Sequence, residues 1–371
     1  MTRKIESGRR IVIKIGSALL ADQEHGTVHR KWLDALAEDV AACRERGQEV
    51  LLVSSGAIAI GRRRLGLPHG VLKLDDNQAA AAAGMVRLAH AYEEVLGAFD
   101  IAVGQVLLTL DDTENRRRYI NARNTLEALL KLGAVPLINE NDTVATDEIR
   151  FGDNDRLAAR VAAMTSADTL VLLSDIDGLY TADPRTDADA VIIPEVTEIT
   201  PEIEAMAGAA PIGDSKGGMV TKLAAAKVCL ANGCRMVIMD GNEPYPLKRL
   251  QDGATATWFL PSATPKTARK RWIAGTLSAA GSVLLDAGAE KALKTGKSLL
   301  PAGVVAIEGD FQRGDAVAVK STDGRELGRG LIAYGAEDAR RIMGYKTSEI
   351  EGRLGYRGRD VMIHRDDLVL D

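Results

Sequence analysis

Short apolar runs alternate with longer amphipathic stretches through the first two thirds of the chain. "IVIKI" (11–15) reads as a strand, and "VHRKWLDALAEDVAACRERG" sets Trp32, Leu36, Val40 and Cys43 at helical spacing before Gly47. Strand "EVLLVSS" (49–55), a helix opening at "GAIAIGRRRLG", an alanine-rich helix over Asp75–Phe99 and strand "IAVGQVLL" follow. Next come a helix over Asn115–Leu132, strand "AVPLI" ending at Asn139, a helix starting near Asp155 and strand "TLVLLS" (169–174). A helix over Met219–Asn232 and strand "CRMVIMD" complete the series. Strands apolar on both faces and separated by helices predict an α/β fold, an open and mainly parallel sheet sandwiched by helices.

The rhythm breaks at "LPSATPKTARKRW" (260–272), whose prolines and basic residues read as a linker. Beyond it, "GSVLLD", "GVVAIEG", "DAVAVKS", "ELGRGLIAYG" and "DVMIHRDDLVL" are short strand-like runs punctuated by Gly and Asp. Brief helical patterns stand at Ala287–Thr295 and Ala336–Met343, which together predict a small, mostly β barrel domain. The expected division is 1–262, a linker over 263–277, and 278–371.

Composition changes this picture little. Hydrophobic residues make up 46% and charged residues 27% of 371, as in globular chains with a sizeable core, and the net charge of -5 points to no polyanionic partner. The basic start "MTRKIESGRR" before an apolar stretch superficially resembles a secretory signal, but Lys14 interrupts that stretch. No run approaches the roughly 18 apolar residues of a membrane span. Cys43, Cys229 and Cys234 lack metal-ligand spacing and read as core residues of a cytoplasmic protein. His25, His29, His69 and His90 lack such spacing too, and the basic clusters at 61–66 and 116–119 read as solvated faces.

Candidate chemistry gathers at the strand ends, where open parallel sheets bind ligands. The ends carry Lys14-Ile15-Gly16-Ser17, Ser54-Ser55-Gly56, Asn139-Glu140-Asn141-Asp142 and Ser174-Asp175. Lys14 stands inside an apolar run, where an ammonium is costly without a counter-charge. "GDSKGGMVTKLAAAK" (213–227) puts Gly217-Gly218 directly before a helix with Thr221 and Lys222 in its first turn, a ready anion site. A plain glycine cap with a solvated Lys222 fits the same residues. It is not a P-loop, since Met219 follows the second glycine, and "KTGKS" (294–298) has Lys291 where the motif's first glycine belongs. In "FGDNDRLAARVAAM" (151–164), Asp153 or Asn154 can cap the following helix, and Asp155 in its first turn could orient an ammonium across a cleft.

Taken in order, "KIGS", "VSSGAIAIG", "NENDTVAT", "GDNDRLAA", "SDIDGLYTADPR" and "GGMVTKL" resemble the amino acid kinase family, specifically its glutamate-phosphorylating branch, and the tail from about Ser278 resembles a PUA domain. The resemblance implies ATP-dependent phosphorylation of the side-chain carboxylate of L-glutamate to L-glutamyl 5-phosphate, the first step of proline biosynthesis, with Mg2+. It implies Lys14, Lys222 and Asp155 as catalytic residues, the lysines flanking the transferred phosphoryl and Asp155 orienting them. Ser55, Gly56, Asp142 and Asn154 would bind glutamate. Lys14, Ser174, Asp175 and the segment Lys216, Gly217, Gly218, Met219, Val220, Thr221 and Lys222 would bind ATP; direct metal ligands are not identified. The chain departs from the family at Lys216, where a small hydroxyl residue is usual; the added ammonium either meets phosphate or points to solvent. Feedback inhibition by L-proline, assembly into dimers or tetramers and hand-off of the product to the next enzyme of the pathway are further implications. A sister kinase acting on aspartate or N-acetylglutamate is the nearer alternative. An RNA-binding PUA protein with a regulatory kinase fold is the other, against which residues 278–371 carry 14 Lys and Arg to 15 Asp and Glu, no basic excess.

Overall fold

The computed structural model describes residues 3–22, 25–68, 70–146, 154–208, 218–276 and 279–370. It divides into two compact units, Met1–Pro265 and Lys266–Asp371. The first is built on strands β1 (Arg10–Ile15), β2 (Glu49–Ser54), β3 (Val103–Leu108), β4 (Val135–Glu140), β5 (Thr169–Ser174), β6 (Glu195–Val196), β7 (Arg235–Asp240) and β8 (Ala256–Phe259). They form one sheet in the order β6-β8-β7-β5-β1-β2-β4-β3. From β7 to β3 every neighbouring pair is parallel, while β8 runs antiparallel to β7 and carries β6 with it.

The longer helices are α1 (Arg30–Glu45), α2 (Ala57–Arg64), α3 (Leu74–Gly97), α4 (Arg116–Lys131), α5 (Asn154–Thr165) and α6 (Met219–Ala231). The pleat of β1 sorts them onto two faces, because successive side chains of a strand point to opposite sides. Ile11, Ile13 and Ile15 join a core with Trp32, Leu33 and Leu36 of α1 and Leu88 and Tyr92 of α3. Val12 joins the opposite core with Leu126 of α4, Leu157 and Val161 of α5 and Leu223 of α6. Lys14, two residues after Val12, therefore faces the side on which α5 and α6 begin.

Helices α2 and α3 cross at two glycines, so closely that a Cβ on Gly61 would come within 1.8 Å of the Ala80 carbonyl oxygen. A Cβ on Gly84 would meet the Ala57 carbonyl oxygen at 1.8 Å. Only hydrogen fits at either position, and the crossing fixes α2, whose first residue follows the rim loop Ser55-Gly56.

The second unit begins with α7 (Pro265–Thr276), which covers most of 263–277, the stretch read from sequence as a linker. Pro265 stands at the first helical position, where a missing N–H is no loss and a fixed φ favours the helix. Ile273 is fully buried with Ala316 and Leu331, and Arg269 pairs with Asp367 at 2.6 Å, so the helix packs on the unit that follows it. Strands β9 (Gly281–Leu285), β10 (Val304–Gly309), β11 (Ala316–Ser321), β12 (Glu326–Ile332) and β13 (Ile363–Leu370) form a sheet in the order β10-β9-β11-β12-β13. Helices α8 (Ala287–Lys294), α9 (Ala336–Ile342) and α10 (Ile350–Leu354) complete the unit. Val283, Val317, Val319, Ile332, Ala339 and Ile342 are among its buried core residues.

Candidate active site

Two lysines from distant parts of the chain meet one carboxylate. Lys14 Nζ on β1 lies 2.5 Å from Asp155 Oδ1, and Lys222 Nζ on α6 lies 3.1 Å from Asp155 Oδ2. Exposure is 8% for Lys14, 0% for Asp155 and 7% for Lys222, so all three are withdrawn from bulk water. Thr221 Oγ1 lies 3.4 Å from Asp155 Oδ2.

Local structure explains the convergence. Asp155 occupies the first turn of α5, where the helix dipole favours a negative charge. Lys222 occupies the first turn of α6, where the same dipole disfavours a cation, so Asp155 must hold it there. Gly218 has no side chain with which to cap α6, and Thr221 folds back instead, accepting from Gly218 N at 3.2 Å and donating to Gly218 O at 2.8 Å. Burial by itself pushes the Asp155 carboxyl upward, but the adjacent Lys14 and Lys222 charges, with their hydrogen bonds, override it and hold the group below the ordinary carboxylate range. Two ammoniums against one carboxylate, beside two helix N-termini, leave a local positive excess that suits an anion.

The neighbouring residue builds the second half of the rim. Asn154 Nδ2 contacts Ser54 O at 2.9 Å, Ser55 Oγ at 2.7 Å and Asn139 Oδ1 at 2.9 Å. Asn139 Oδ1 also accepts from Glu140 N at 2.9 Å, and Ser55 N donates to Ile15 O at 3.2 Å. The ends of β1, β2 and β4 are thereby tied to the start of α5. Gly56, with φ of 100°, turns the chain from β2 into α2 through a left-handed conformation that favours glycine. Behind the rim, Tyr92 OH lies 3.1 Å from Ser54 Oγ, and burial pushes the Tyr92 phenol up, keeping it protonated.

Ser174 and Asp175 stand at the end of β5, beside β1, with Ser174 Oγ donating to Asp175 Oδ1 at 3.1 Å. Gly241 N donates to Ser174 O at 2.8 Å, joining the end of β7 to that edge. Asp142 lies half-buried two residues past β4. Met219 and Val220 open α6, Val220 being exposed. Lys216, Gly217 and Asp153 lie outside the described residues.

Asn139, Tyr92 and Ser54 support the site without having been assigned a role from sequence. Asn139 stood at a strand end among the rim residues, a usable signal. Tyr92 had none, since its position on α3 reads as core, and its hydroxyl finds Ser54 only through the packing of α3 on the sheet.

A family model described as the amino acid kinase family matches residues 9–240, and a PUA domain model matches residues 281–354. A glutamate 5-kinase of Paramagnetospirillum magneticum is 62% identical over 367 residues, which span 99% of each chain. One from Rhodospirillum rubrum is 61% identical over 360 residues, 97% of this chain and 96% of the relative. One from Agrobacterium fabrum is 60% identical over 371 residues, all of this chain and 95% of the relative.

Proposed function

Because the chain belongs to the amino acid kinase family, we propose that its rim transfers the γ-phosphoryl group of ATP to the side-chain carboxylate of L-glutamate, giving L-glutamyl 5-phosphate and ADP, the step that opens proline biosynthesis. One observation carries this reading: Lys14 and Lys222, from a strand and a helix far apart in sequence, are fixed on the two oxygens of the buried Asp155.

The chemistry asks little else of the protein. A glutamate side chain has a pKa of about 4.3, so the attacking carboxylate is already ionised near neutrality and needs no general base. The barrier lies in bringing two anions together in line and in meeting the charge that moves between them. Lys14 and Lys222 neutralise the phosphoryl oxygens on either side, while Asp155 keeps both ammoniums in place without solvent reorganisation. Ser55, Gly56, Asp142 and Asn154 are the glutamate site in this reading, Asp142 offering a carboxylate to the α-ammonium. Ser174, Asp175 and the 216–222 segment are the nucleotide site.

Magnesium enters as the ion carried by ATP. Among the described residues no three His, Cys, Asp or Glu side chains gather to hold a metal, and both oxygens of Asp155 are engaged by lysines. The described residues do not fit a cage of their own for the ion. Feedback by L-proline at or near the glutamate site, a dimeric or tetrameric assembly, a cytoplasmic location beside the ATP supply, and direct transfer of the hydrolysis-prone acyl phosphate to the next enzyme belong to the same reading. The family resemblance supports them. No described helix is long and apolar enough to cross a membrane.

Hydroxylamine trapping across a panel of amino acids tests the activity. Hydroxamate should form from glutamate, with ADP released in equal amount. Preference for aspartate or N-acetylglutamate would overturn the assignment of substrate, and ADP release without hydroxamate would overturn that of the acceptor group.

A further inference from the structure

Residues 278–371 are close to neutral overall, yet three guanidiniums among them share one groove of about 840 Å³. Arg340 and Arg341 come from α9, Met343 and Tyr345 from the turn after it, Glu349 from just before α10, and Arg353 from α10 itself. How these arginines are held is informative. Arg340 Nη2 donates to Gly309 O at 2.5 Å, at the end of β10. Arg341 Nη2 donates to the carbonyl of Arg353. The Arg353 guanidinium carbon lies over the Tyr345 ring, 3.0 Å from its centroid.

Each guanidinium is thus fixed on one side by a neutral carbonyl or a ring face, which orients it without cancelling its charge. Among the described residues, the carboxylate within 4 Å of any of the three is Asp338, 3.9 Å from Arg341 Nη1, and it also accepts from Tyr356 OH at 2.6 Å. Glu349 accepts from Lys346 N at 2.9 Å. Three oriented cations therefore face one groove carboxylate. A guanidinium has five donors in a planar fork that suits phosphate oxygens, and a groove with several such forks suits more than one phosphate. Met343 adds an apolar flank.

We infer that the groove between α9 and α10 binds a small anion bearing a diphosphate group. Its probes are inorganic pyrophosphate and ADP, which distinguish the diphosphate alone from a nucleoside diphosphate. The full-length chain and the double variant Arg340→Gln/Arg353→Gln are titrated with each by calorimetry, at low and at physiological salt. The kinase rim is the same in both proteins, so their difference reports the groove. The wild type should show a binding event that the double variant loses or weakens by at least about tenfold, the range for losing charge-assisted hydrogen bonds. That event should weaken with salt, as exposed charge does. Equal affinity for the two probes assigns the diphosphate alone, and tighter ADP binding assigns the nucleoside as well.

Glu349→Gln keeps an acceptor for Lys346 N while removing the groove's carboxylate, and should tighten the event about threefold, a gain that a misfolded protein cannot produce. Identical isotherms for wild type and double variant would overturn the proposal. So would pyrophosphate and ADP leaving the groove empty while total RNA shifts the wild-type chain in a gel and not the double variant.

Discussion

Lys14 and Lys222 hold their ammonium groups against a carboxylate that solvent does not reach, whereas Arg341 leaves 49% of its side chain in water and meets the Arg353 carbonyl more closely than it meets Asp338. Both units gather cations, but the surroundings set different rules for doing so. In the first unit the cost of desolvation demands a buried counter-charge, and one carboxylate serves two ammoniums. In the second, water carries most of that cost, so orientation alone suffices and the charge stays available. The buried cluster is thus rigid and intolerant of loss. The exposed one is tunable.

The sharpest way to break this contrast is Asp155→Asn. It leaves two lysines facing each other without their anion, and the first unit should lose about 3–5 kcal/mol, read as a lowered urea midpoint by tryptophan fluorescence. Stability unchanged by this variant would mean that the carboxylate is not what holds the pair.

Lys14→Ala and Lys222→Ala come next. Each should lower kcat by about 10²–10³-fold, as removal of a single preorganised charge-stabilising donor does, while the KM for glutamate moves by only a few fold. Steady-state assays showing a KM effect alone would contradict the assigned roles.

Glycine substitutions sharpen the difference in rigidity. Gly61→Ala drives a Cβ against the Ala80 carbonyl and should cost about 1–3 kcal/mol or more, with the Ser55-Gly56 loop disturbed. Gly352→Ala, in the lining of the exposed groove, meets nothing within 4 Å and should be neutral or stabilising by up to about 1 kcal/mol. Thermal melts of the two variants give the comparison directly.

The smallest expected effect separates two buried acids of the first unit by pH. Asp155 has a lowered native pKa, so its contribution is fully present above its unfolded value, about 4, and is lost as pH falls through the native value. Asp39 is pushed up to about 6, chiefly by burial, although it accepts from Leu247 N and Lys248 N. Its native state prefers the proton, so this site favours folding most below about pH 4 and progressively less as pH rises through 6. Asp39→Asn should flatten the dependence of stability between pH 4 and 6 and leave the acid limb due to Asp155 in place. Urea midpoints measured across that range decide it.

Much of the fold was legible because burial leaves a periodic record. The strands at 11–15, 49–55 and 169–174 and the helices opening near Ala57, Asp155 and Met219 appear where apolar spacing places them. The helical structure of α7 was not legible because Pro and basic residues signal a break in the abstract, while here Pro265 starts a helix and Ile273 buries it. The sheet edge where β8 runs antiparallel to β7 and pairs in parallel with β6 left no recognisable pattern, since a two-residue strand such as Glu195–Val196 is too short to carry a period. Counting charge over 278–371 also hid the groove, because a sum over residues carries no information about which of them meet.

What the sequence alone determined was the set of parts: the order of strands and helices, the polar residues stationed at strand ends, and a lysine inside an apolar run that required an anion. These follow from local periodicity and from the cost of burying charge, which act on neighbouring residues. Only the tertiary structure decided which Asp155 oxygen each lysine meets and at what distance, with Lys222 67 positions away in sequence, that Tyr92 backs Ser54, and that three arginines of the second unit line one groove. Contacts between residues far apart in the chain depend on crossing angles and sheet order. Those are set by how whole faces pack.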